Sequence, residues 1–113
     1  MKIITEIITL NELKDMAGQL FGNLVKAVVD VDKQLIAVDA ELHADLEALL
    51  LENGSQQNNL WGINLYPEIS GDDFIEFDSM INMRPSQNNR SRSVDSEEIR
   101  RNIRAVVLKR VKV

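Results

Sequence analysis

Apolar residues recur with two different periods along the chain, and the period separates helices from strands. The β-branched run Ile3–Ile8 predicts a short strand. Thr9 and Glu12 then form a capping box, in which each side chain pairs with a backbone N–H group at the start of a helix. The apolar residues that follow recur at helical spacing: Leu13, Met16, Ala17 and Leu20. Because Gly22–Asn23 supplies a left-handed stop, we expect the first helix to end just before it.

The middle of the chain predicts a hairpin and a second helix. Leu24–Val31 and Leu35–Val38 are rich in β-branched residues, and the three residues between them are a connection of hairpin length. From about Glu41 the period changes, and leucines recur at i, i+4, i+7 and i+8: Leu42, Leu46, Leu49 and Leu50. This spacing predicts an amphipathic helix that ends at Gly54.

The last part of the chain predicts two strands and a third helix. Leu60–Tyr66 and Phe74–Met83 alternate apolar and polar residues, so we expect them to be antiparallel neighbours. Asp95, with a glutamate three residues later, is the expected N-cap of a helix from about Ser96 to Arg110. The apolar stripe of this helix is Ile99, Ile103, Val106 and Val107.

This order of elements predicts an α+β fold, with an about five-stranded, mostly antiparallel sheet and three helices packed against it. The length of 113 residues suits one globular domain that spans residues 1–113. With 44% hydrophobic and 27% charged residues, the composition excludes collagen-like and disordered chains. The longest apolar runs have four residues, against about 20 for a membrane span, and no signal peptide is readable. We therefore expect a cytoplasmic protein without a membrane segment.

Several catalytic classes lack their sequence signatures in this chain. The absence of cysteine excludes thiol nucleophiles and thiolate metal sites. Glycine-rich phosphate loops, dinucleotide-binding turns and the serine-hydrolase elbow are also missing. We therefore expect no cofactor.

The single histidine, His43, lies among carboxylates. On a helix, His43 and Glu47 stand one turn apart, where an imidazole and a carboxylate can bind a metal ion or transfer protons. The alternative is that the carboxylates only stabilise the start of the helix. Because a metal site needs three or four protein ligands, this pair by itself predicts no metal.

Charge divides the chain into two unlike parts. Residues 1–83 contain 4 Lys and 15 Asp or Glu, a net charge of −11, whereas residues 84–113 contain 9 Lys or Arg and 3 Asp or Glu, a net charge of +6. Such asymmetry concerns partners rather than fold. The acidic and basic parts can pair with each other, with a second copy of the chain, with another protein or with an anion.

The segment before the last helix combines arginines with small hydrogen-bonding residues: Arg84, Ser86, Asn89, Arg90 and Arg92. Guanidinium groups bind phosphate or carboxylate, and backbone N–H groups at a helix start add partial positive charge. Two interpretations stay open, namely a site for a small external anion or internal pairing with carboxylates such as Glu76 or Asp78. Nucleic acid is not expected as a partner, because the sequence pI is about 4.8 and only five residues are aromatic.

Two asparagines stand at matching positions in the expected strands. Gly62–Pro67 and Met80–Pro85 share the pattern Ile-Asn-aliphatic-any-Pro, which contains Asn64 and Asn82. Asparagine is disfavoured in strands. Either the two amides bond across the sheet, or they form a polar surface that is open to a ligand.

Five segments carry a resemblance to a known family: Glu41–Asp45, Glu52–Ser55, Leu60–Pro67, Ile81–Gln87 and Asn89–Arg92. Together they resemble a family of small prokaryotic proteins of about 110 residues that is catalogued as a domain of unknown function. The resemblance covers nearly the whole chain and implies no particular activity.

These observations predict a small interaction domain that binds a protein partner or a second copy of itself through its acidic and basic parts. The alternative is binding, or turnover, of a small anionic or phosphorylated ligand at the segment from Arg84 to Arg92, with His43 as acid, base or metal ligand. We expect an interaction domain rather than an enzyme.

Overall fold

A five-stranded antiparallel sheet forms the centre of the molecule, which a computed structural model describes over residues 1–113. The strands are, in chain order, β1 (Lys2–Ile4), β2 (Ile8–Thr9), β3 (Val25–Asp30), β4 (Leu35–Val38), β5 (Leu60–Leu65), β6 (Ile75–Glu76) and β7 (Val111–Lys112). The helices are α1 (Leu10–Gln19), α2 (His43–Glu52) and α3 (Glu97–Arg110). The sheet has the order β1–β4–β3–β5–β6, whereas β2 and β7 form a separate parallel pair. The predicted α+β class, with a five-stranded antiparallel sheet and three helices, is therefore confirmed.

The three helices are divided between the two faces of the sheet. Side chains alternate along each strand, so that Ala27, Val29 and Ile63 belong to the main core with α1 and α3. The intervening Val28 points to the other face, where it packs in a smaller core with Leu46 of α2. As a result, α2 lies on the opposite side of the sheet from α1 and α3.

The N-caps of α1 and α3 are side-chain hydroxyls. Thr9 Oγ1 accepts a hydrogen bond from Glu12 N at 3.2 Å, which confirms the predicted start of α1. The expected N-cap Asp95 is wrong by one residue, because Ser96 Oγ accepts from Ile99 N at 3.3 Å and α3 begins after it. No helix combines the length and the apolar character that crossing a membrane requires.

Two predicted strands are wrong in extent. Ile3–Ile8 is not one strand, because β1 pairs with β4 in the main sheet whereas β2 pairs with β7. Of Phe74–Met83 only β6 pairs with β5, as an antiparallel neighbour, and Met80–Asn82 forms a 3-10 turn. Ser79 starts this turn, since its Oγ accepts from Ile81 N at 3.3 Å. Local side-chain hydrogen bonds thus compete with the sheet and end the strand early.

Candidate functional site

His43 lies at the start of α2, about two residues later than the expected start at Glu41, and Leu42 provides no side-chain cap. The imidazole is buried, and its Nε2 donates to the carbonyl oxygen of Ile63 at 2.8 Å. In the neutral ring Nδ1 is then the unprotonated nitrogen. Burial lowers the pKa of His43. The ring is therefore neutral at pH 7 and ties α2 to β5.

The stability of the protein is expected to depend on pH through His43. In the unfolded chain His43 takes up a proton near its ordinary pKa of about 6.5, whereas in the folded protein it takes up a proton only at a lower pH. The free energy of unfolding should therefore decrease as the pH falls below about 6.5. His43→Gln removes this titration, so urea unfolding of both proteins from about pH 8 to about pH 5.5 should show the wild type losing stability relative to the variant. A pH-independent difference between them would contradict this prediction.

A row of polar side chains crosses three strands beside His43. Lys26, Asn64 and Glu76 are in register on β3, β5 and β6. Glu76 Oε1 accepts from Asn64 Nδ2 at 2.8 Å and from the Tyr66 hydroxyl at 2.9 Å. Burial and the nearby carboxylate raise the pKa of Tyr66, so its hydroxyl stays a donor. Asn64 thus bonds across the sheet, while its buried Oδ1 has no partner.

Asn82 is not equivalent to Asn64, although the sequence around the two is similar. Asn82 lies in the 3-10 turn, where its Oδ1 accepts from Gly62 N at 2.8 Å and its Nδ2 donates to Gly62 O at 2.9 Å. The same Nδ2 donates to Arg92 O at 3.0 Å. The amide replaces the backbone of a neighbouring strand next to β5. The expected pair of matching strand asparagines is therefore wrong, because only Asn64 is in a strand.

Arg84 is buried against β5 and binds the chain's own backbone. Its guanidinium donates to three carbonyl oxygens, those of Gln57, Leu60 and Ile81. The group also lies 4.8 Å from the centre of the Trp61 ring, and its Nη2 is 3.5 Å from Glu47 Oε2. Burial lowers the pKa of Arg84, and Glu47 opposes this effect. Glu47 therefore pairs with an arginine and not with His43.

The loop before α3 binds an anion that the chain itself supplies, the exposed carboxylate of Asp95. Asp95 accepts from Arg90 N at 3.2 Å and from Ser91 Oγ at 2.7 Å. Asn89 holds the loop in place, because its Oδ1 accepts from Asp95 N at 2.8 Å and its Nδ2 donates to Asn82 O at 2.7 Å. Asn89 is thus a buried structural residue of this loop.

The remaining residues of the arginine-rich segment have different surroundings. Arg92 Nε donates to Asp78 Oδ1 at 2.8 Å, so the internal ion pair considered from the sequence is present. The side chains of Arg90 and Ser86 are exposed and have no hydrogen-bond partner in the chain. Whether Arg90 binds an external anion stays a prediction.

The candidate residues do not line one cavity. His43 contacts β5 near Asn64, whereas Arg84 contacts the other end of the strand at Leu60. A groove of about 460 Å³ lies elsewhere, between the C-terminal half of α3, β7 and residues 67–75, and contains none of them. The pattern of apolar residues did not predict this groove, although Leu108 is an apolar residue outside the apolar stripe of α3. No group of three His, Asp or Glu side chains is placed to hold a metal ion.

The charge asymmetry of the sequence becomes a difference between two helices. Glu41, just before α2, and Asp45 and Glu52, on its solvent side, are exposed and have no cationic group within 4.0 Å. Arg101 and Lys109 are exposed on the solvent side of α3 and have no carboxylate within 4.0 Å. Because α2 and α3 cover opposite faces of the sheet, these negative and positive charges point in opposite directions.

The comparison with known families covers almost the whole chain. A family model described as Protein of unknown function (DUF5674) matches residues 2–110. No curated protein and no solved structure matches the chain. The match agrees with the resemblance noted in the sequence and adds no activity to it.

Proposed function

Because the chain belongs to DUF5674, a family of proteins of unknown function, we propose its function from its own side chains. We propose that it is an interaction domain that binds another protein through two oppositely charged helix faces, and that it is not an enzyme. The acidic face is the solvent side of α2 with Asp45 and Glu52, together with Glu41 just before the helix. The basic face is the solvent side of α3 with Arg101 and Lys109.

One observation carries this proposal, namely that the charges of both faces are unpaired within the chain. A charge that is paired with its neighbour adds little to the field outside the protein. Unpaired charges of one sign attract a partner of the opposite sign and select its orientation. Because the sheet separates the two faces, they do not neutralise each other by contact.

Binding of a small anion at the arginine-rich segment has less support. The guanidinium of Arg84 is occupied by backbone carbonyl oxygens, and that of Arg92 is paired with Asp78. Asp95 accepts the hydrogen bonds that the loop would otherwise offer to an external anion. His43 is buried at a different place on β5, so it supplies no acid or base to this loop.

We expect affinity capture to recover a protein partner whose binding depends on these charges. The tagged wild type is compared with Asp45→Lys/Glu52→Lys and Arg101→Glu/Lys109→Glu in an extract of the cells that naturally contain the protein. Reversing the face that makes the contact should abolish capture. Raising the salt from about 0.1 M to about 1 M should also abolish it, because the screening length falls from about 10 Å to about 3 Å.

The matched control is Asp72→Lys/Asp73→Lys, which makes the same change of charge at exposed carboxylates outside both helices. It should capture the partner as the wild type does. The partner counts as support whether it is a second copy of the chain or a different protein, provided that one face reversal removes it. Capture that neither reversal nor salt affects would contradict the proposal. The proposal is also wrong if nothing is captured and light scattering shows a monomer at both salt concentrations.

A further inference from the structure

We propose that the partner is a second copy of this chain, with the acidic face of one copy docked against the basic face of the next. This inference rests on the proposed function and adds the identity of the partner and the geometry of the contact. It depends on the match between the two helices in charge and in the spacing of their exposed residues.

Each face has a row of exposed residues at the spacing i, i+4, i+7, which lies along one side of a helix. On α2 the row is Ala44, Ala48 and Leu51. On α3 the row is Arg101, Ala105 and Leu108. Leu51 is 40% exposed and Leu108 is 70% exposed, so each row leaves one large apolar side chain in contact with water. The alanine at the centre of each row lets a second helix approach closely.

An antiparallel arrangement of two copies covers these apolar side chains. Leu108 of one copy then meets Ala44 of the other, and Leu51 packs on the aliphatic stem of Arg101. Arginine stems cover apolar surface in this way while the guanidinium stays in water. The contact therefore buries apolar area without burying a charge.

The charges beside the rows favour this contact over a symmetric contact of two α2 helices. Asp45 and Glu52 flank the row of α2, and Lys109 and Arg104 flank the row of α3. Of these four residues only Arg104 has an internal ion pair, at 3.4 Å from Glu97. Contact of α2 with α3 brings opposite charges together, whereas contact of α2 with α2 brings like charges together and is disfavoured.

A contact between two different faces does not close after one step. The pair keeps one vacant basic face, on the first copy, and one vacant acidic face, on the second, because the two faces of each copy lie on opposite sides of its sheet. Copies can therefore continue to add as a row, or close as a ring if the rotation between neighbours permits. The assembly should pass beyond a dimer as the protein concentration rises.

Two variants that each block one face test this geometry. Ala48→Arg places a bulky cation in the acidic face, and Ala105→Glu places a bulky anion in the basic face. Both positions are exposed, and both new residues are good helix formers, so folding should be retained and is checked by circular dichroism. Gln19→Arg and Gln19→Glu make the same charge changes at an exposed residue of α1 and serve as controls.

Sedimentation velocity at low salt, from about 10 µM to about 1 mM protein, should show the mass of the wild type and of the Gln19 variants increasing with concentration. Ala48→Arg and Ala105→Glu should each associate at least about tenfold more weakly. A one-to-one mixture of the two should associate again, because the intact acidic face of one variant meets the intact basic face of the other. A symmetric contact joins the same face of both copies, so mixing a variant in which that face is blocked with the other variant cannot restore it.

Self-association through these faces is overturned if the wild type stays monomeric. It is also overturned if mixing the two variants does not restore their association. In that event, charge-dependent capture of a different protein would leave the proposed function standing. The absence of both would remove the proposed function as well.

Discussion

Replacing Arg84 by methionine is expected to lower the free energy of unfolding by about 3 to 5 kcal/mol. A methionine side chain can occupy the space over the Trp61 ring but has no N–H donor. Three carbonyl oxygens, which are buried or partly buried, then lose their donor, and Glu47 remains a largely buried carboxylate without its cation. Urea denaturation followed by the fluorescence of Trp61, the single tryptophan, measures the change.

Arg90→Met is the matched control for this experiment. It makes the same chemical change at an exposed side chain without partners, so the free energy of unfolding should stay within about 0.5 kcal/mol of the wild type. Arg84→Lys should recover only part of the loss, because an ammonium group cannot reach three carbonyl oxygens from one planar fork. Equal effects of Arg84→Met and Arg90→Met would show that the buried network does not stabilise the fold.

Gly62→Ala is expected to destabilise the protein by about 1 to 3 kcal/mol through overpacking. A Cβ atom at this position would lie 2.5 Å from Ser79 Cβ and 2.6 Å from Ser79 Oγ. The turn that contains Asn82 must then move away from β5, which breaks the two hydrogen bonds between Asn82 and the backbone of Gly62. Urea denaturation monitored by circular dichroism reports the loss.

Two further variants identify the cause of this loss. Gly18→Ala changes a helical glycine with no atom within 4 Å of the new Cβ, so it should stabilise the protein by about 0.5 to 1 kcal/mol. Ser79→Gly removes the two atoms that the new Cβ of Gly62→Ala would meet, and should therefore reduce the effect of that substitution in the double variant. If the effects of Gly62→Ala and Ser79→Gly on the free energy of unfolding simply add, the close approach of the turn to β5 is not the cause of the destabilisation.

The elements that could be predicted from the sequence are those whose signals lie within a few residues of one another. Thr9 and Glu12 are three residues apart, and the hydrogen bond between them is present in the structure. Gly22 adopts the left-handed conformation that the end of the first helix suggested. The hairpin of β3 and β4 was also predictable, because the apolar residues of the two strands and their short connection lie close together in the sequence.

The candidate site was less predictable, because its residues are satisfied by partners far away in the chain. The sequence marks Arg84 and Asn82 as unusual polar residues, yet nothing local shows that they bond to the backbone of β5, from Leu60 to Gly62. An anion site in the arginine-rich segment requires free guanidinium groups. Within this segment, only Arg90, whose side chain is exposed, has a guanidinium group without a partner.

Local periods and capping residues were sufficient for the α+β class and for most helices and strands, because each reflects hydrogen bonds and burial within a short stretch of chain. The total charge of each part of the chain was also readable from its residues. The side of the molecule on which that charge lies was not readable, because it depends on which face of the sheet each helix covers. That choice is made by packing between distant segments, which places α2 over Val28 and α3 over Ala27. An alternating strand presents neighbouring residues to opposite sides, and only the assembled sheet decides which helix meets each side.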